Sequence, residues 1–292
     1  MPVVVGVDGS DPSTLAVRWA ARAAARSHLP LSLVHAVPPM PPDRYAAAGL
    51  YVESLRKAAD AAGERVLGEA TKVAVEVIPG QPIRVWSEVG HPVEILARAS
   101  ATAHLVAIGA TGHAGLVELL AGSTALELPA RAHSPVVVVR SRPDGSVASA
   151  GPVVVGVAGA ELDDPAVEFA FAFASREGAE LVAVHSWSDS PLPDYDRLTG
   201  LRDQWDAIFE RERRLLAERM AGYRERYPDV PVRPTVVYDR PARALLAESR
   251  NAQLVVVGTR GRGILAGALL GSTSRAVVKA SECPVAVLRR YS

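Results

Sequence analysis

The chain has 292 residues, 49% hydrophobic and 22% charged, with 32 Lys and Arg against 32 Asp and Glu. That composition is globular and excludes general disorder, and a formal net charge of zero gives no sign of a polyanion or membrane-surface partner. At roughly 150 residues per domain, the length fits two domains. Val3–Val7 is a near-continuous β-branched run, the pattern of a strand buried on both faces of a parallel sheet. Asp11-Pro12 follows as a cap and first-turn proline, opening a helix that runs through Leu15–Ser27. Leu31–Val37 is the second strand, and the proline-bearing segment Met40–Tyr51 leads into a long charged helix. Residues Val73–Ile78 (VAVEVI) alternate and on propensity alone would be a strand. Ile83–Val89 reads as the third strand, Pro92–Ala103 as a helix, Leu105–Ile108 as the fourth strand and Val136–Arg140 as the fifth.

The second half repeats the first. VVVGVDGS at Val3–Ser10 returns as VVVGVAGA at Val153–Ala160, and LVHAV at Leu33–Val37 as AVHSW at Ala183–Trp187. LVAIGATGHAG at Leu105–Gly115 returns as LVVVGTRGRG at Leu254–Gly263, and SPVVVVR at Ser134–Arg140 as CPVAVLR at Cys283–Arg289. The repeat decides the VAVEVI run. IPGQPIR at Ile78–Arg84 aligns with YPDVPVR at Tyr227–Arg233, and Tyr227 ends the helical ERERRLLAERMAGYRERY, so Val73–Val77 is expected to be the last turns of a helix. Each half therefore predicts an α/β fold, a doubly wound parallel five-stranded sheet of order 3-2-1-4-5, Rossmann-like in plan. The expected domains are 1–142 and 152–292, joined by a Pro/Gly-rich linker at 143–151.

Strand four of each half ends in glycines at one spacing: Gly109-x2-Gly112-x9-Gly122-Ser123, and Gly258-x2-Gly261-x9-Gly271-Ser272. Glycines after a strand let the backbone approach a phosphate, and a helix start offers N–H groups and a positive dipole end. Ser123 and Thr124 add hydroxyls in half one, as do Ser272 and Thr273 in half two. With this strand order, Asp8 at the end of strand one and Gly109 at the end of strand four share the crevice where ligands bind open α/β sheets. Asp8 would reach a ribose hydroxyl there; its competing role is to cap the first helix.

This glycine spacing, with V-D-x-S after the first strand, resembles the ATP-binding class of the universal stress protein family. The tandem arrangement is similar to its two-domain actinobacterial members and covers essentially the whole chain. The resemblance implies a nucleotide-binding regulatory protein of stress or growth-arrest responses, with at most slow ATP hydrolysis. Carried over by position, it implies that Gly6, Val7 and Asp8 border adenine and ribose and that Ala36 lies along the adenosine. Gly109, Gly112, Gly122, Ser123 and Thr124 would hold the phosphates, with His113 beside them. In half two the matching positions are Gly156, Ser186, Gly258, Gly261, Gly271, Ser272 and Thr273. There Arg260 and Arg262 flank Gly261 and suit bidentate phosphate contacts, with a solvated loop as the competing reading. Asp8 corresponds to Ala158, so the second site lacks the carboxylate. The expected cofactor is ATP, with or without Mg2+.

Rival chemistries are weaker. No Gly-Lys-Ser/Thr occurs, which removes a P-loop, and Gly261-x-Gly263-x3-Gly267 follows the wrong strand for a dinucleotide fingerprint. No G-x-S-x-G elbow and no H-x3-H pairing appear, so neither a catalytic residue nor a metal site is assigned. Cys283 precedes a strand proline and reads as structural, His35 and His185 read as strand packing, and the ERERRLLAERMAGYRER run reads as a solvated helix face. A lone cysteine and an N-terminus without a basic n-region point to the cytoplasm. Gly109, Gly112 and Gly115 interrupt the longest uncharged stretch, Ala99–Val117, against a membrane span. An enzyme using ATP for hydrolysis or group transfer, and a scaffold binding no nucleotide, remain as alternatives. The expected partners are an adenine nucleotide and a second copy of the chain, with no nucleic acid and no membrane. The apolar fifth strands are expected to pair the two halves, and the downstream protein partner is not specified.

Overall fold

A computed structural model of the chain describes residues 1–39, 52–111, 121–157, 164–187, 202–259 and 270–289. The chain divides into two compact units, Met1–Arg140 and Ser141–Ser292. The irregular, proline-bearing segments expected at Met40–Tyr51 and Ser188–Arg202 lie outside the described residues, except that Arg202 already begins a helix.

The first unit runs β1 (Val3–Val7), α1 (Asp11–Arg26), β2 (Leu31–Val37), α2 (Val52–Val77), β3 (Ile83–Val89), α3 (Pro92–Ser100), β4 (Leu105–Gly109), α4 (Ser123–Arg131) and β5 (Val136–Val139). All neighbouring strands are parallel, in the order β3-β2-β1-β4-β5. Val3–Val5 and Val136–Val139 are buried on both sides, as the unbroken valine runs predict. The VAVEVI run is helical. In α2 the buried apolar side chains among the described residues are Leu67 and Ala74, and Ile78 just beyond donates its N–H to the Ala74 carbonyl at 2.9 Å. Those spacings of seven and four residues follow a helix face, which overrides local β-propensity. α3 ends at Ser100, three residues before the expected Ala103, and Ala101–Ala103 continue it as a chain of i→i+3 bonds.

α1 packs closely because its inner face is small: Ala16, Val17, Ala20, Ala21 and Ala24 are buried. Its start is set by Ser10, whose Oγ accepts the Ser13 N–H at 3.3 Å, and by a proline in the first turn.

The second unit runs β6 (Val153–Gly156), α5 (Pro165–Glu177), β7 (Leu181–Ser186), α6 (Arg202–Arg226), β8 (Val232–Val237), α7 (Pro241–Ser249), β9 (Leu254–Gly258), α8 (Ser272–Ala280) and β10 (Val285–Leu288). Its parallel order, β8-β7-β6-β9-β10, is the same plan. The packing differs in kind. Phe171 of α5 is fully buried and stacks on Tyr223 and Tyr227 with ring centroids 5.4 and 5.7 Å apart. Both hydroxyls find partners, Tyr227 donating to Glu168 at 2.7 Å and Tyr223 accepting the Asp164 N–H at 3.0 Å. Where α1 presents alanines, α5 presents an aromatic. Gly178 closes α5 in the left-handed region, φ 59°, the conformation a helix-ending glycine supplies without strain.

The expected linker begins with a built turn. Asp144 accepts from the Ser146 N–H and hydroxyl at 2.9 and 2.6 Å, and these bonds hold its carboxyl below the usual range. Farther along, the Gly151 carbonyl accepts from Gln253 at 2.6 Å.

Cys283 is fully buried before β10, and burial pushes its thiol up to about 11 from 9.0. A rise of that size leaves about 100-fold less thiolate at neutral pH, besides the steric block. Native protein should therefore be almost inert to a thiol-reactive disulfide reagent and react stoichiometrically in denaturant. Fast labelling of the native chain would contradict this packing.

Candidate functional site

The chain leaves β1 toward β2 and returns through α3 to β4 on the other side. The crevice this creates lies beyond the carboxyl ends of β1 and β4, at the switch point of the sheet. Two contacts build it. A Cβ at Gly109 would lie 2.7 Å from the Pro12 carbonyl carbon and 2.8 Å from its oxygen, so the end of β4 touches the first turn of α1. A Cβ at Gly6 would lie 2.8 Å from Leu96 Cδ1, so α3 closes on β1 with equal intimacy. In the second unit, Gly156 faces Leu245 at 3.2 Å in the same way. The expectation that these glycines serve a ligand thus has a second ground, since helix packing already requires them.

Asp8 stands exposed at the start of the β1–α1 turn. Its Oδ1 accepts the Ser10 N–H at 3.0 Å and the Ser10 hydroxyl at 2.6 Å, and Ser10 in turn caps α1. The cap of α1 is thus Ser10, not Asp8, whose carboxylate acts on the helix start only by holding Ser10. Val7 gives its carbonyl to His35 Nδ1 at 2.8 Å.

The chain then returns to the mouth. Gly122 donates its N–H to the Ala110 carbonyl at 2.8 Å, next to Gly109, and serves as the N-cap of α4. Gly271 repeats this with Thr259 at 3.0 Å and caps α8. Neither helix has a side-chain cap, a lack shared with α3 and α7, in contrast to Ser10 at α1 and Asp164 at α5. Their first-turn N–H groups, those of Ser123, Thr124 and Ala125 and of Ser272, Thr273 and Ser274, lie at the end of β4 or β9 beside one exposed serine each. An uncapped helix start of this kind suits an anion.

The structure thus brings Gly6, Val7, Asp8 and Gly109 together with Gly122, Ser123 and Thr124 around one mouth, with Ala36 near the end of β2. Gly112, His113, Arg260, Gly261, Arg262 and Ala158 lie outside the described residues. Two expected residues of the second unit have internal duties. Ser186 donates its hydroxyl to the Asp239 carbonyl, and the carbonyl of Gly258 accepts from Ser274 Oγ at 2.5 Å. Ser274 replaces Ala125, so α8 is tied to the end of β9 by a bond that α4 cannot make.

The repeated histidines carry a feature missed in the sequence. Each ring donates Nδ1–H to the carbonyl that ends the first strand, at 2.8 Å for His35 and 3.0 Å for His185. At the other nitrogen they diverge. His185, 1% exposed, meets Glu212 Oε2 at 3.1 Å, with Glu212 18% exposed, whereas His35 packs its Cδ2 3.2 Å from where a Cβ of Gly63 would stand. Glu212 and Gly63 are repeat-equivalent, so aligning the two long helices would have exposed the difference.

Residues 1–140 and 150–289 each match the family model described as the universal stress protein family. The chain belongs to the universal stress protein family. The universal stress protein Rv2005c of Mycobacterium tuberculosis is 41% identical over 302 aligned residues, covering 99% of this chain and 97% of its own. A universal stress protein of Mycolicibacterium smegmatis is 37% identical over 290, covering 98% and 96%. A crystal structure of a universal stress protein from Archaeoglobus fulgidus shares the fold, with a TM-score of 0.69 at 22% identity, covering 99% of this chain and 98% of that one. Among the described residues of this universal stress protein, no three His, Cys, Asp or Glu side chains group to hold a metal, and no helix is long and apolar enough to cross a membrane.

Two substitutions test the crevice wall. Gly109→Ala drives a methyl into Pro12 backbone and should cost about 1–3 kcal/mol, whereas Gly68→Ala, in open space on α2, should gain about 0.5–1 kcal/mol. Removing the carboxylate with Glu212→Ala leaves Nε2 of the buried His185 ring without its partner and should cost about 1–3 kcal/mol. Urea unfolding of the full chain measures all three, and a neutral Gly109→Ala would remove the close contact from the argument.

Proposed function

We infer that this universal stress protein is a regulatory module that binds an adenine nucleotide, ATP in the first instance, at the switch-point crevice of each unit. The observation that carries the reading is the paired uncapped helix start. In both units a glycine N-cap is pinned to the end of the fourth strand, so the N–H groups that follow have a ligand's phosphates as their natural partner. In unit one, Gly6, Val7 and Asp8 border adenine and ribose, Ala36 lies along the adenosine, and Gly109, Gly112, His113, Gly122, Ser123 and Thr124 surround the phosphates. In unit two, Gly156 and Ser186 take the nucleoside side, and Gly258, Arg260, Gly261, Arg262, Gly271, Ser272 and Thr273 the phosphate side. Mg2+ would accompany the phosphates, with its oxygen ligands drawn from them and from water. The nucleotide supplies a removable charged group, and the protein's part is to bind it and couple occupancy to a partner, with slow hydrolysis at most. The setting we assign is a cytoplasmic stress or growth-arrest response.

Asp8 sharpens the test. A charge-assisted bond from its carboxylate to the nucleoside would contribute about 1.5–3 kcal/mol, or about 10- to 100-fold in affinity. Because Oδ1 also organises Ser10, Asp8→Ala removes two functions, whereas Asp8→Asn keeps an acceptor for Ser10 and removes only the charge. Calorimetry with ATP on the full chain, with Gly261→Glu silencing unit two, should show both variants weakened, the alanine form more. Gly112→Glu added to Gly261→Glu should abolish binding with the fold retained. Unit two, with Ala158 in place of Asp8 and reliant on arginine–phosphate attraction that salt screens, should be the weaker and more salt-sensitive site. Tight ATP binding by the double glutamate variant would place the nucleotide elsewhere, and no binding by the unaltered chain would favour the scaffold.

A further inference from the structure

β3 is the edge of the first unit's sheet, paired to β2 alone among the described strands, and it is conspicuously apolar outside. Val85 is 48% exposed, Trp86 36% and Val89 61%. Open apolar edges are templates for another strand, and proteins normally blunt them. The second unit does so. Its edge strand β8 carries Pro234 at the position equivalent to Val85.

The direction of the backbone shows what Pro234 accomplishes. The Pro231 carbonyl accepts from Leu181 and the Val237 carbonyl from Trp187, so odd-numbered residues of β8 face β7 and Pro234 faces outward. There it removes an N–H from the edge without costing the sheet a bond. In β3, the Gly90 N–H donates to Val37, so Arg84, Trp86 and Glu88 turn their backbone groups to β2. Ile83, Val85, Ser87 and Val89 turn theirs outward, an unbroken edge ladder in the strand sequence IRVWSEV.

We propose that the β3 edge pairs antiparallel with β3 of a second copy of this chain, about a twofold axis at Trp86. That register sets Arg84 opposite Glu88 twice, Trp86 opposite Trp86 and Ile83 opposite Val89, with Val85 and Ser87 exchanging the ladder hydrogen bonds. The tryptophans fall at the non-hydrogen-bonded position, where cross-strand side chains approach most closely and aromatic pairs contribute most. Centring the axis on Val85 would oppose Arg84 to Trp86, and centring it on Ser87 would oppose Glu88 to Trp86. Only the Trp86 register is charge-complementary. Glu88 is already oriented by its ion pair with Arg98 of α3, and Arg84 has no ion-pair partner among the described residues. The occupant is therefore the strand's own twin, since a single strand that carries Arg and Glu symmetrically about an aromatic complements itself.

Sedimentation velocity on the full chain across a concentration series tests this. The unaltered chain should associate reversibly. Val85→Pro, which copies Pro234 and removes no bond to β2, should raise the dissociation constant at least tenfold. Arg84→Glu and Glu88→Arg should each weaken association about tenfold, and the double swap should restore it. The swaps keep the test decisive should Val85→Pro fail to fold. Trp86→Cys should cross-link to its twin under mild oxidation, with buried Cys283 unable to compete. A chain that stays monomeric at every concentration, associates equally well with Val85→Pro and the charge reversals, or shows no rescue by the double swap, overturns the proposal.

Discussion

The crevice exists because two backbones touch. At Gly109 the end of β4 meets the first turn of α1 so closely that even a methyl group would fall 2.7 Å from a carbonyl carbon. Helix α1 could not reach that depth with ordinary residues on its inner face, and it presents mostly alanines. Close approach on this side and at Gly6 on the other pins α1 and α3 against β1, and the carboxyl ends of the strands are left standing as the floor of an open mouth. Everything assigned to a ligand hangs from that arrangement. The turn held by Asp8 and Ser10 exists to start α1 at the right place, and the Gly122–Ala110 bond returns the chain to the same rim.

Much of this was legible because each half of the chain comments on the other. VAVEVI alternates like a strand, and local propensity points the wrong way; only the alignment with the helical run ending at Tyr227 assigns it to α2. The parallel α/β plan followed equally well, from short apolar runs alternating with helical segments. The start of α5 was not legible. The repeat offset around VVVGV implies a helix beginning as early as α1 does, but α5 starts at Pro165, capped by Asp164 and shorter than α1 by three residues. An N-cap is chosen by one side chain reaching one N–H, and a repeat alignment does not record which of several acidic residues succeeds.

The reading of the glycines rested on only part of their physics. Glycine spacing suggested room for phosphate, yet Gly109 is demanded by Pro12 and the Gly122 N–H is consumed by Ala110. What suits an anion is what these contacts leave over: a helix start that no side chain caps. Partnerships between distant side chains were beyond reach in a single sequence. His185 was visible as a repeated histidine, but Glu212 sits 27 residues away on a helix dominated by charge, where one more glutamate attracts no notice.

The two units keep the backbone plan and diverge in side chains wherever the backbone does not forbid it. Glycines at the helix contacts recur as Gly6 and Gly156, where an added Cβ would press on the side chains of Leu96 and Leu245. Other positions differ between the units: Ala21 corresponds to Phe171, Gly63 to Glu212, Ala125 to Ser274 and Val85 to Pro234. Each exchange changes what one unit can do that the other cannot. A phenylalanine stacks with two tyrosines, a glutamate engages a histidine, a serine ties a helix start to its strand, and a proline closes an edge. The exchange of Asp8 for Ala158 is a further difference of side chain between the two halves. Duplication thus preserved the geometry of the mouth in both units and released the chemistry lining it to differ.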